Sequence, residues 1–373
     1  MKRTARKNTI TSWYGLCPGR HILLLAGAAF IAAYFLLRDD TALMAKLCDA
    51  AVRPYHAFMS RLCEKLPFSP GEFLIVTAAL LTLWYLLHQL WKLIRTDRRP
   101  LRLYRTVISL AAAAALIYAG YCFFWGVYYY SGSFPERAGL KEEPVSVEQL
   151  RTVTEYFAQQ ANEYSALVPR DENGVYAQSE ETIFEKAATL YDNIAKELPE
   201  LDSVYIKPRA AKLSRLMSYI DFTGYFFPFT GEAIVNVDSP RCYLPSTIAH
   251  ELSHQRGVAP EQEANFAAVV SCMAYGDPDY RYSAALLAYV HLGNALYEAD
   301  RDAWAKVYGS LNAAVLKDFE YNREYWAGFD TAAKKVSNTV YEGFLKSYGQ
   351  DKGLQSYGAC VDLLVNYYYE RLS

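Results

Sequence analysis

Two histidines four residues apart, His250 and His254 in the stretch "AHELSHQRGVAPEQEANF" (Ala249–Phe266), are the residues of this chain best suited to chemistry. On an α-helix that spacing turns through about 40°, so both imidazoles leave one face and can share a metal ion. Glu251 projects about 100° round from His250, beside that face and off the metal. Two imidazoles holding zinc at about 2.0–2.1 Å make a hydrolytic site when an adjacent carboxylate, here Glu251, takes the proton of a water whose pKa the metal has lowered to about 7.

A catalytic zinc needs a third protein ligand and an open position. Gly257 is placed to end the helix in a left-handed conformation, and Pro260 to open the next one, so the chain reverses within a few residues. The first turn of the second helix then returns toward the metal carrying Glu261 and Glu263, about 200° apart, so one of them faces the ion. Glu263 shares its face with Phe266, Ala267 and Val270, a stripe expected to pack on the first helix. It is therefore the expected ligand, with Glu261 in reserve. Asn265 is expected to hydrogen-bond a ligand and orient it.

Upstream, "EAIVNVD" (Glu232–Asp238) alternates β-branched residues and reads as a short strand. As an edge strand above the metal, its residues Ala233, Ile234, Val235 and Asn236 would pair with an extended peptide. Around these pieces helical periodicity dominates, giving a mainly α, α+β domain with a small sheet over residues 146–373. A Gly-, Pro- and charge-rich linker over 131–145 precedes it.

Residues 1–130 read as a membrane region of three transmembrane helices, at about 22–37, 72–91 and 107–129. "VISLAAAAALIYAGYCFFWGVYYY" has no polar face for water along its length, and the shorter runs carry flanking anchors such as Trp13, Arg20, Trp91 and Lys92. The basic start of the chain resembles the charged region of a signal peptide, but no small-residue cleavage site follows the first run, so retention as an anchor is expected. The loop Lys92–Arg105 holds six basic residues against Asp97, which places it and the N-terminus in the cytoplasm of a multi-pass membrane protein. The segment from Arg38 to Glu72 and everything after Tyr130 then lie outside, so the His-Glu helix faces the extracytoplasmic space.

The 38 Lys and Arg balance 40 Asp and Glu, so the basic footprint of a nucleic-acid partner is missing; the partners expected are a lipid bilayer and a peptide or protein substrate. Seven cysteines show no metal-finger spacing; Cys48 and Cys63 sit in one loop and could pair, but isolated buried thiols serve as well.

The stretch "FPFTGEAIVN…LPSTIAHELSHQRGVAPEQEANF" resembles the bacterial membrane family catalogued as domain of unknown function 3810, as do "PFSPGE", "FWGVYYY" and "FLKSYGQDKGLQSYG". "EQEANFAA" is also similar to the segment that supplies a glutamate ligand in gluzincin-type metallopeptidases. That resemblance implies zinc held by His250, His254 and Glu263, with Glu251 as base and a zincin-like fold. Only eight residues separate His254 from Glu263, fewer than many gluzincins place there. The expectation is a membrane-anchored zinc metallopeptidase; the alternative is a non-catalytic metal-containing membrane sensor or assembly protein. An intramembrane protease is not expected, because the His-Glu stretch is polar and lies far along the chain from the last span. Tyr357, His291 and Arg256 are candidate oxyanion stabilisers, with no choice among them.

Overall fold

The computed structural model describes residues 17–203, 206–348 and 358–372. Tyr357 and the basic residues Lys2, Arg3, Arg6 and Lys7 lie outside them. The chain opens with α1 (Pro18–Leu37), α2 (Thr41–Leu47), a π-helical turn over Cys48–Val52, α3 (Arg53–Glu64), α4 (Pro70–Ile94) and α5 (Arg99–Phe124). A 3-10 turn (Gly126–Tyr130) and α6 (Phe134–Arg137) lead to α7 (Val147–Ser165), α8 (Glu180–Lys186), β1 (Arg209–Ala210), α9 (Ser214–Tyr219), β2 (Gly224–Phe227) and β3 (Glu232–Val235). Then follow α10 (Leu244–Gln255), α11 (Glu261–Tyr275), α12 (Pro278–Ala299), α13 (Arg301–Gly309), α14 (Ala313–Ala327), α15 (Ala332–Ser347) and α16 (Gly358–Leu372).

Helices α1, α4 and α5 are each long and apolar enough to cross a membrane, which is compatible with a membrane protein. Proline in the first turn opens all three, and Ser69 caps α4 by accepting from the Glu72 N–H. α1 packs along α5, whereas none of α4's apolar stretch is buried. The third apolar run is not one helix to Tyr129: α5 stops at Phe124, and after Trp125 a 3-10 turn leads into the rest of the protein.

One end of each apolar helix is built into the helical domain. At the start of α4, the Gly71 N–H donates to Glu232 Oε2 at 2.7 Å, and the Glu72 carboxylate accepts the Lys212 and Leu213 N–H groups. Carboxylates at a helix N-terminus complement its dipole, so the two acids fasten α4 to the sheet. Arg38, just past α1, donates to the Ser347 carbonyl, and Tyr121 of α5 packs edge-on against Phe344 of α15. The basic loop between Lys92 and Arg105 is at the opposite end.

In the helical domain α7 lies against α12, which is buried over most of its length. Leu150, Val153, Phe157, Ala161 and Tyr164 recur at helical spacing and form the buried stripe of α7, whose N-terminus is closed by a capping box between Ser146 and Gln149. Residues 131–145 are not a free tether: Phe134 is fully buried in the main core and packs on Phe266. All seven cysteines are free thiols, Cys48 and Cys63 included.

The three strands run in the order β1-β3-β2, with β3 parallel to β1 and antiparallel to β2. The strand expected to be an edge is therefore the central one: Ala233, Ile234, Val235 and Asn236 are all fully buried, and Asn236 turns its amide to Ser218 and the Phe222 carbonyl. β3 is paired on both sides, with β1 at Ile234 and Val235 and with β2 along its whole length, so among the described strands the sheet edges belong to β1 and β2.

Candidate metal centre

α10 carries the His-Glu pattern and runs beneath the sheet, between β2–β3 and α11–α12. Its C-terminus is the decisive local structure. Gly257 adopts φ +82°, the Gly257 N–H returns to the His254 carbonyl and the Val258 N–H to that of Ser253, closing a Schellman turn. The turn also orients a site residue, because the Val258 carbonyl accepts from His254 Nδ1 at 2.7 Å. That leaves His254 Nε2 facing inward.

α11 starts immediately after Pro260, so Glu261 is its first residue. Its carboxylate lies between the two imidazoles, with Oε2 at 3.1 Å from His250 Nε2 and Oε1 at 3.7 Å from His254 Nε2. One turn on, Asn265 Oδ1 meets His250 Nδ1 at 2.9 Å. Residues Glu261 and Asn265, four apart on α11, thus face His250 and His254, four apart on α10. Each histidine has its Nδ1 on an oxygen and its Nε2 turned to the shared carboxylate.

Glu263 is elsewhere, which corrects the expected ligand set. Its carboxylate accepts the Phe134 N–H at 2.8 Å, and Phe266 on the same face packs on Phe134 and on Tyr367 of α16. The stripe that Glu263 shares is apolar because it faces α6 and α16; α11 is buried on nearly every side, so an apolar face did not single out α10. Burial pushes the Glu263 carboxyl up to about 7, although the Phe134 N–H and Arg137 pull the other way.

Three ligand atoms, one each from His250, His254 and Glu261, lie within 4.8 Å of one another. Ligand atoms around a tetrahedral zinc at 2.0–2.2 Å are about 3.3 Å apart, so an ion fits with small side-chain adjustments. Carbonyl or amide oxygens on both Nδ1 atoms fix the tautomers that such binding requires. Burial disfavours a charge on His254, but the Glu261 carboxylate outweighs it and raises the imidazole to about 9, while the two histidines hold Glu261 well below the usual carboxylate range. The charge arrangement suits a cation.

Glu251 lies beside this cluster and is almost fully buried, and its Oε2 has no hydrogen-bond partner among the described residues. Burial pushes its carboxyl up to about 7, opposed by His250 and His254 and assisted by Glu261. Gly224 at the start of β2 makes room for it: a Cβ there would stand 2.5 Å from Glu251 Oε1.

His250, Glu251, His254 and Glu261 line a cleft of about 420 Å³ walled by the free strand β2, by Asn338, Tyr341 and Phe344 of α15, and by Tyr121, Trp125 and Tyr129 from the end of α5 and its following turn. A second cavity of about 480 Å³ shares Thr223, His250 and Glu261 with it and continues toward Tyr243 and Trp326. Together they form a groove passing His250 and Glu261. Tyr341, which sequence reasoning did not single out among 32 tyrosines, donates to Glu261 Oε1 at 2.5 Å. Of the proposed oxyanion groups, Arg256 donates to the Leu201 and Leu252 carbonyls and covers the Tyr191 ring, away from the cleft. His291 is buried on α12 and its pKa is lowered to about 4, by burial first and then by the nearby His250.

Distance along the chain also misled. His254 packs edge-on against Trp125, the residue directly after α5, with ring centroids 5.5 Å apart. The histidine pair therefore sits at the end of an apolar helix.

No curated protein and no solved structure matches this chain. The family model described as protein of unknown function (DUF3810) matches residues 52–365, from the start of α3 into α16, and so takes in β2, the His-Glu helix and Glu261. With most of its length matched, the chain belongs to the DUF3810 family.

Proposed function

We propose that this protein is a membrane-anchored zinc metallopeptidase with His250, His254 and Glu261 as metal ligands and Glu251 as general base. The observation that carries this reading is the convergence of both Nε2 atoms on the Glu261 carboxylate beside a buried, unpartnered Glu251. A purely structural site has no use for such a carboxyl. Zinc, when bound, supplies a Lewis acid that polarises a carbonyl and lowers the pKa of a water. Glu251, with a carboxyl near neutrality, takes the proton of the attacking water and gives it to the leaving amine, so that water adds across the amide to yield a carboxylate and an amine. The unpaired edge of β2 offers backbone groups to an extended peptide alongside the cleft. Tyr341 and Asn265 hold Glu261 and His250 in place. The basic loop between α4 and α5 supports a cytoplasmic position for that end and an extracytoplasmic one for the cleft.

The test uses the full-length protein in detergent, as wild type, Glu251→Gln and His254→Ala, with metal content and cleavage of a mixed peptide library as readouts. Zinc in wild type and Glu251→Gln but not in His254→Ala, with cleavage by the wild type alone, is expected. Zinc without cleavage in any form would favour a non-catalytic sensor or assembly protein. A folded wild type that takes up no metal would overturn the site.

A further inference from the structure

The groove and the apolar helices meet on one side of the molecule, and the surface around them carries large exposed apolar side chains. The tip of the β2–β3 hairpin carries Phe229, whose ring lies over Gly120, about one turn inside α5; a Cβ on Gly120 would stand 2.8 Å from Phe229 Cε1. The hairpin that walls the cleft therefore dips past the end of an apolar helix. Leu213 and Leu216, beside the start of α4, are 40% and 56% exposed, and the Leu213 N–H is bound by Glu72 of α4. On the opposite wall Val336 and Val340 are 64% and 67% exposed, one turn apart on α15, whose Phe344 packs on α5 and whose Ser347 carbonyl is held by Arg38 at the end of α1. Water is a poor partner for these side chains, whereas the surface of a bilayer crossed by α1, α4 and α5 is continuous with them.

We propose that these residues form a collar that enters the lipid surface, so that the cleft opens at the bilayer and its substrates are membrane-tethered polypeptides cut at a bond close to their anchor. This deepens the peptidase reading and rests on it for the substrate, while the collar stands on the surface geometry alone. An anchored chain leaving the bilayer reaches the groove between β2 and α15 with only a few residues of extension, whereas a free peptide must find a mouth half closed by lipid.

Two experiments separate the collar from the substrate. In the first, the full-length protein with Cys17→Ser is placed in lipid nanodiscs and labelled with bimane at Leu216→Cys or Val340→Cys, with Leu167→Cys, 59% exposed just past the end of α7, as the reference. A rim lying roughly 5–10 Å into the headgroup boundary is quenched about twofold by lipids carrying a nitroxide high on the acyl chain and is about fivefold less sensitive to iodide than the reference. Iodide quenching equal to that at Leu167 would overturn the collar.

In the second, the best-cleaved library peptide is offered to proteoliposomes free, or joined to a transmembrane anchor through a spacer of about 5 residues, spanning at most about 17 Å, or of about 30, with a typical reach near 30 Å. Both tethers raise local concentration, so the comparison between them isolates position. The short spacer is expected to be cleaved about tenfold faster than the long one and Val336→Asp/Val340→Asp to abolish that preference without loss of metal. Equal cleavage of both spacers, or a preference for the free peptide, overturns the substrate class and leaves the peptidase intact. Failure to cleave any form, without bound zinc, overturns the peptidase reading itself, with the quenching result still deciding the collar.

Discussion

At the residue scale, Glu261 and Glu263 are two positions apart and have opposite surroundings. Glu261→Gln is expected to lower zinc affinity at least about tenfold, by removing a charged ligand, whereas Glu263→Gln keeps the metal; equilibrium dialysis of the two variants decides. Glu263→Gln makes a second, separate prediction. A carboxyl at about 4.5 in the unfolded chain and about 7 in the fold contributes stability that is present below pH 4.5 and is lost as pH rises through 7. Glutamine can still accept the Phe134 N–H and has no charge to bury, so the variant should gain on the wild type from pH 4.5 to 7 and level off above, by at most about 3 kcal/mol. Thermal melts at pH 5 and pH 8 in the same detergent measure this; an unchanged difference would show that Glu263 does not titrate there. Glu251→Gln is expected to retain zinc and lose about 10²–10⁴-fold in cleavage, the usual contribution of a general base.

At the scale of elements, the site depends on one turn and one strand end. The Schellman turn at Gly257 sets the reversal that brings the first residue of α11, rather than its third, to the histidines, and its Val258 carbonyl orients His254. At β2, Gly224 leaves room for the buried Glu251 side chain. Gly224→Ala is expected to push that carboxyl out of position, reducing cleavage by about tenfold or more and destabilising by about 1–3 kcal/mol, with zinc retained because no ligand moves. Metal content and turnover on the same preparation check it; full activity in a folded Gly224→Ala variant would remove Glu251 from the role of base.

For the whole molecule, the apolar helices are part of the cleft and of the fold. Glu232 accepts from the Gly71 N–H at the start of α4 as well as from Thr230, the turn after α5 contributes Trp125 against His254 and Phe226, and Tyr121 closes one end of the cleft. A fragment beginning at Ser131 leaves Glu232 buried without its α4 partner and exposes Phe226 and Phe344. The fragment is expected to aggregate or to bind zinc at least about tenfold more weakly than the full chain, since exposed aromatic surface drives association and an unmade hydrogen bond to a buried charged group costs about 1–3 kcal/mol. Size-exclusion profiles and zinc titration of the two proteins test this.

Local patterns sufficed for much of this protein. The length and continuity of three apolar runs mark α1, α4 and α5, and a helical repeat with Ser146 before it marks α7. The spacing of His250 and His254 places both rings on one face, and Gly257 with Pro260 marks the reversal, because each of these is a matter of neighbours within a few residues along the chain. Tertiary packing decided the rest. Which of Glu261 and Glu263 turns to the histidines depends on what covers the other side of α11, and that cover comes from Phe134 and Tyr367, over a hundred residues before and about a hundred after. Whether "EAIV" is an edge or a centre depends on β1 and β2 pairing with its two sides, and Tyr341 is distinguished from 31 other tyrosines only by where α15 packs. The nearness of the histidines to α5 follows from Trp125 packing under the sheet, a contact between residues whose sequence separation contains no trace of it.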